Sequence, residues 1–191
     1  MRHPFRRKNL SPSLLPCYGL AALGLAWARP SPLGFAVGGA LVALGEGLRL
    51  WGAGHLLKTR ALTVTGPYAH HRHPLYAGTL LLALGFGAIA GGSGLVLVAC
   101  VFLPVFFLHY LPYKERVESA RLTSHYGEAY LAYQRAVPAL VPRLRAWNPP
   151  PDLALYGDRR WSRSRCREND EFGVLLGVVV GVALLALRPA L

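Results

Sequence analysis

The densest run of chemically capable residues is His70-His71-Arg72-His73-Pro74, followed closely by Tyr76 and Gly78. Proline suits the first turn of a helix, where its missing N–H would go unpaired anyway. Pro74 is therefore predicted to open a helix, with Arg72 and His73 at its mouth. A helix N-terminus carries free N–H groups and partial positive charge, so basic side chains beside it make a seat for a carboxylate or phosphate. The plainer alternative is a basic loop against lipid headgroups. Three histidines at 70, 71 and 73 raise the question of a metal. Their spacing matches no zinc pattern, and neither a cysteine nor a carboxylate pair lies nearby, so no metal is expected. A second run covers Tyr113–Ala136. Leu122, Tyr126, Tyr130 and Tyr133 recur there at helical spacing, while Glu115, Arg116, Arg121, Glu128 and Arg135 occupy the other faces. That pattern predicts an amphipathic helix, ended by Val137-Pro138, and lipid headgroups are one surface it could lie on.

The elements that must position these runs are apolar. Of 191 residues, 53% are hydrophobic and only 16% are charged, which argues against a water-soluble globule and against disorder. The expected fold class is all-α, an integral membrane helical bundle. Five apolar stretches stand out: Ser13–Ala28, Leu33–Leu50, Leu75–Gly92, Gly94–Tyr113 and Phe172–Leu187. A bilayer core of about 30 Å needs about 20 helical residues. The second span contains Glu46 and Arg49, three residues apart and on one helix face. They face either the bundle interior or the membrane interface.

The net charge of +12 comes from 21 Lys and Arg against 9 Asp and Glu. Basic residues are dense before the first stretch, sparse in the first hairpin, dense again around Lys58–Arg72, and absent from the next loop. Eleven lie between Lys114 and Arg167. This alternation predicts a multi-pass protein of the inner (plasma) membrane with a cytoplasmic N-terminus. Because the charges follow topology and no recognition module is present, nucleic-acid binding is not expected. The first stretch also resembles a signal peptide, but Arg29-Pro30 is a poor start for a mature chain, so a retained helix is expected.

Three cysteines offer no disulfide framework. Cys166, set among Arg163, Arg165 and Arg167, is expected to have its thiolate favoured by positive charge. Gly173, Gly177 and Gly181 recur at the spacing that lets membrane helices approach closely, which makes them the expected contact for a second copy of the chain. Eighteen arginines against three lysines, with abundant Ala, Gly and Leu, point to a GC-rich bacterial genome. The expected organisation is helices 1–4 over residues 1–113 with the motif loop at 66–78, a cytoplasmic helix and its proline-ended segment over 114–143, a basic linker over 144–171, and a C-terminal span over 172–191.

Arg72-His73-Pro74-Leu75-Tyr76-Ala77-Gly78 resembles the R-H-P-x-Y-x-G signature of the membrane methyltransferases that include isoprenylcysteine carboxyl methyltransferase and phospholipid N-methyltransferases. Leu122-x3-Tyr126-Gly127-x2-Tyr130-x2-Tyr133-x3-Val137-Pro138-x3-Pro142 resembles the second block of that family, and Gly66-Pro67-Tyr68 before the first is also typical. The resemblance covers about residues 33–143. It departs at one point: the family's Glu-Glu pair is here Glu118-Ser119, with Glu115 one turn earlier.

The resemblance implies S-adenosyl-L-methionine held at the cytoplasmic ends of the helices, the amphipathic helix forming the pocket, and a lipophilic acceptor entering from the bilayer lipids. It implies a catalytic set of Arg72, His73 and Glu118, and a cofactor-binding set of Tyr68, Arg72, His73, Pro74, Tyr76, Gly78, Glu118 and Tyr130. The acceptor would be a prenylcysteine-like carboxylate or a phospholipid amine. An NADPH-dependent sterol-reductase-like enzyme, with a similar turn, is one alternative. A non-enzymatic scaffold using its basic tail to hold anionic lipid is the other.

Overall fold

The computed structural model describes residues 24, 26–58, 61–149 and 160–188, and among these every regular element is a helix, without strands. The first expected span lies almost wholly outside the described residues. Helix α1 covers Pro32–His55. Ser31 caps it, its Oγ accepting from the Gly34 N–H at 3.1 Å, with Pro32 in the first turn. A short 3-10 turn, Gly66–Ala69, leads to α2, Pro74–Ala90, which Pro74 opens as expected.

Helices α1 and α2 form an antiparallel pair built on small residues. Gly38 lies opposite Gly85, and Gly45 opposite Gly78. A Cβ added at Gly38 would stand 2.5 Å from the Gly85 carbonyl oxygen, and one at Gly78 would stand 2.7 Å from that of Gly45. In lipid, where no hydrophobic effect drives helices together, such close backbone approach supplies the packing.

The next helix, α3, is a 35-residue rod, Gly92–Tyr126, with wide π-helical turns at Val98–Phe102 and Val105–Tyr110. At 1.5 Å per residue it measures about 50 Å, longer than a bilayer core of about 30 Å. It is apolar as far as Tyr113 and charged from Lys114 onward, so its last turns stand outside the apolar layer. Gly127, at φ +52, breaks the rod, and α4, Glu128–Ala136, folds back. The single amphipathic helix expected over Tyr113–Ala136 is thus the end of α3 plus α4. Its stripe packs on protein: Tyr130 and Tyr133 are buried with Leu62, Val64 and Val137, and Leu122, Tyr126 and Trp147 close over them.

The expected linker over 144–171 is in part a docked cap. Within it α5, Arg163–Glu168, sits on the end of α1: Trp161 Nε1 donates to the Leu50 carbonyl at 3.0 Å and Asn169 Nδ2 to that of Ala53 at 2.8 Å. This corrects the expectation for Cys166. Its side chain is fully buried, and burial, with Glu171 nearby, pushes the thiol up from its ordinary range in spite of the flanking arginines.

Helix α6, Glu171–Ala186, packs Val178, Val182 and Leu185 against Val42, Leu82, Phe86 and Ile89. Among the described residues Gly181 meets Phe86, and nothing lies within 4 Å of a Cβ built at Gly173 or Gly177.

Among the described residues two helices, α1 and α3, are long and apolar enough to cross a membrane, and α2 and α6 are apolar but shorter. The outer faces of α1, α3 and α6 expose Leu44, Val96, Leu108, Leu176 and Val179. A water-soluble bundle would bury such continuous apolar faces, so they mark association with a membrane.

Candidate functional site

The motif loop is held from below by an extended segment that follows α4. The Arg72 N–H donates to Pro138 O at 2.8 Å, the His73 N–H to Ala139 O at 3.0 Å, and the Arg143 N–H to His70 O at 3.0 Å. Two of the three histidines fasten the same seam. The Nδ1 of His70 pairs with Arg143 O at 2.8 Å, and that of His71 with Leu140 O at 2.9 Å. Burial holds the His71 imidazole below its ordinary range, so it sits there neutral. Val137-Pro138-x3-Pro142 thus has a mechanical reason: backbone that cannot continue a helix runs alongside the loop and satisfies its N–H groups.

On this platform the side chains converge. The Arg72 Nε donates to Val137 O at 3.0 Å, while its Nη1 pairs with Glu115 and lies 3.4 Å from the Tyr130 hydroxyl. His73 Nε2 meets the other oxygen of Glu115, and His73 Nδ1 faces Glu118 at 3.7 Å. The Tyr76 hydroxyl donates to Glu118 at 2.5 Å. Ser119 pairs with the Tyr130 hydroxyl at 2.8 Å. Burial pulls the Glu115 carboxyl up, but His73 and Arg72 outweigh it and hold the group down at about 2, so it is ionised at neutral pH.

Arg72, His73, Tyr76, Glu118 and Tyr130 therefore stand in one polar cluster joined through Glu115 and Glu118, and Pro74 is buried at the start of α2. Tyr68 is buried too; its carbonyl accepts from the Tyr133 hydroxyl at 2.7 Å, and burial raises its own hydroxyl's pKa, with Glu118 adding to the effect. Gly78 is the exception. It faces α1, where a Cβ would stand 2.4 Å from Arg49 Cγ, so its smallness serves helix packing and not the polar cluster. Glu115 emerges as the central carboxylate. Its helical spacing, one turn before Glu118, was the only signal in the sequence that could have found it.

A second polar cluster lies on the other side of the first turns of α2. Arg49 grips Glu171, the first residue of α6, through two hydrogen bonds of 2.7 and 3.1 Å. It also donates to Leu75 O at 3.2 Å and to the Thr79 hydroxyl at 2.7 Å. Glu46 is buried close by with neither carboxylate oxygen hydrogen-bonded. The pair on α1 thus faces the bundle interior. No sequence signal paired Arg49 with a residue 122 positions away.

An apolar groove of about 870 Å³ runs between α2, α3 and α6, lined by Thr79, Phe86, Phe102, Phe106, Tyr110 and Leu184 among others. Aromatic rings link it to the polar cluster around His73. His73 stacks on Tyr76 at 5.1 Å, Tyr76 meets Tyr110 edge-on at 5.5 Å, and Phe106 and Phe102 continue the series at 6.0 and 5.5 Å.

Comparison with known proteins gives partial matches. The chain is 38% identical over 116 residues to the cobalt-zinc-cadmium resistance protein CzcN of Cupriavidus metallidurans, covering 60% of this chain and 51% of that protein. It is 33% identical over 85 residues to the protein-S-isoprenylcysteine O-methyltransferase of Schizosaccharomyces pombe, covering 44% of this chain and 34% of the relative. It is 34% identical over 89 residues to the delta(14)-sterol reductase of Arabidopsis thaliana, covering 47% and 23% respectively. Its distant relatives include a methyltransferase and a sterol reductase. The matched region spans about half of CzcN and a smaller share of the two enzymes. No protein-family profile matches the chain, and no solved structure does. Among the described residues no group of three His, Cys, Asp or Glu side chains stands ready to hold a metal ion.

Proposed function

We propose that this chain is an integral membrane S-adenosyl-L-methionine-dependent methyltransferase acting on a lipophilic acceptor. The observation that carries the reading is the convergence of Arg72, His73 and Tyr76 from the loop and α2 with Glu115, Glu118 and Tyr130 from α3 and α4. That cluster is joined by Tyr76 and Tyr110 to the apolar groove. The donor set fits the cofactor's functional groups. Arg72 and His73 together can seat a carboxylate, as their joint hold on Glu115 illustrates. The ring of Tyr76 offers a π-face to a cation, and Glu118 accepts from hydroxyl or amino donors.

When bound, the cofactor supplies a methyl group on a sulfonium, activated for in-line displacement. The protein's part is to position and to exclude water. The groove takes the acceptor's apolar body and presents its polar end near Tyr76. A carboxylate acceptor needs no base; an ammonium does, and His73 or Glu118 would then hold the proton. The groove's lining is almost wholly apolar, with Thr79 and Tyr110 near its polar end, which favours an acceptor whose polar group is confined to one end.

Five spans with a cytoplasmic N-terminus in the inner membrane complete the proposal, supported by the charge alternation and by the length of α3. Binding of labelled S-adenosyl-L-methionine to detergent-purified protein, in competition with NADPH, tests it. Saturable binding of the first is expected. Preference for NADPH would replace the methyltransferase with the second reading, a sterol-reductase-like enzyme, which the identity to the delta(14)-sterol reductase keeps in view.

A further inference from the structure

The cationic pair that could seat a ligand carboxylate already holds one. Glu115 places one oxygen on the Arg72 guanidinium and the other on the His73 ring, so a single carboxylate takes both donors. Glu118, one turn along α3, does not compete for that seat. It accepts from Tyr76 and faces the opposite ring nitrogen of His73.

The donors do not depend on Glu115 for their place. Arg72 is tied through Nε to Val137 O, and the N–H groups of Arg72 and His73 are tied to Pro138 and Ala139. Their side chains are 11% and 8% exposed, whereas that of Glu115 is 27% exposed. The carboxylate is thus the member of the trio with a way out to water.

We propose that Glu115 is an internal placeholder: it occupies the carboxylate seat of the site, and a carboxylate-bearing cofactor binds by displacing it. This rests on the methyltransferase reading. The placeholder sets selectivity. A bare Arg72–His73 pair facing the cytoplasm would attract any small anion, and Glu115 raises the threshold. Only a ligand that adds contacts to the aromatic rings and Glu118 displaces it.

The test compares the affinity of S-adenosyl-L-methionine with that of its decarboxylated analogue, for the wild-type protein and for Glu115→Gln. In the wild type, loss of the ligand carboxylate should cost less than about threefold, because Arg72 and His73 fall back on Glu115. In Glu115→Gln, S-adenosyl-L-methionine should bind about tenfold more tightly with the analogue unchanged, so the same deletion costs more than about tenfold. A wild-type loss beyond about thirtyfold, or weaker S-adenosyl-L-methionine binding by folded Glu115→Gln, overturns the placeholder and leaves the methyltransferase reading standing. The wild-type comparison needs no variant, so poor folding of Glu115→Gln does not remove the test. Binding of neither compound by a protein that binds NADPH overturns both readings.

Discussion

The first turns of α2 carry a charge cluster on each side, and the two are built for different ends. Toward α3, Arg72 and His73 meet Glu115 and Glu118, whose side chains are 27% and 32% exposed. Toward α1 and α6, Arg49 meets Glu171, whose side chain is 2% exposed. A charge pair that water can reach can exchange one partner for a ligand at modest cost. A pair sealed among apolar helices cannot, because separating it strands a charge in a low-dielectric layer. Exposure, more than residue type, separates a site from a brace. Both clusters bear on the same turn, since Arg49 holds the Leu75 carbonyl immediately before Tyr76.

The largest effect expected from this contrast is on the brace. Glu171→Ala leaves Arg49 without its bidentate partner and should cost about 3–5 kcal/mol, read as a large drop in unfolding midpoint in detergent. A drop no greater than that of an exposed control, such as Glu128→Ala, would mean that the pair is not sealed. On the site side, with the placeholder removed by Glu115→Gln, the further change Arg72→Ala should weaken S-adenosyl-L-methionine binding by about 10- to 100-fold, the worth of a charge-assisted hydrogen bond, with a smaller change in midpoint than Glu171→Ala. Equal affinities would remove Arg72 from the binding set.

Glu46 sharpens the comparison from the opposite direction. Its oxygens are buried without partners, so Glu46→Gln should leave stability unchanged or raise it by up to about 1–2 kcal/mol. A marked loss would show that the carboxylate serves a purpose beyond filling space.

The smallest effect is in pH. His71 is buried neutral with its folded-state pKa below the ordinary 6.5, so the unfolded chain takes up the proton first. Its contribution is whole above about 6.5 and is lost as pH falls through the folded value. Glu115, held down at about 2 against an ordinary 4.5, contributes above 4.5 and loses that contribution as pH falls toward 2. The unfolding midpoint should therefore decline in two stages on acidification. His71→Gln should abolish the upper stage and leave the lower one.

Much of this architecture could be read in the chain. Pro74 announced the start of α2, the stripe of Leu122, Tyr126, Tyr130 and Tyr133 announced an amphipathic helix, and the two motif blocks announced that loop and rod belong together. Other features were illegible for definite reasons. The stripe's partners, Leu62 and Val64, are ordinary apolar residues in an irregular segment, so headgroups looked as good a cover as protein. Gly127 reads as a motif letter, whereas its positive φ is what turns α4 back on α3. Cys166 sits among arginines in sequence yet is fully buried against the Leu50 carbonyl in space, and burial outweighs its neighbours' charge.

What the amino-acid order determined alone is local: which stretches are apolar enough for lipid, where helices open, and which residues share a helical face. Those properties depend on neighbours within a few positions. Which carboxylate meets which base was decided only in three dimensions, because Glu115 lies 43 residues from Arg72 and Glu171 lies 122 from Arg49. Whether each encounter is exchangeable or sealed was decided there as well, since solvent access belongs to the packed assembly and to no single segment of the chain.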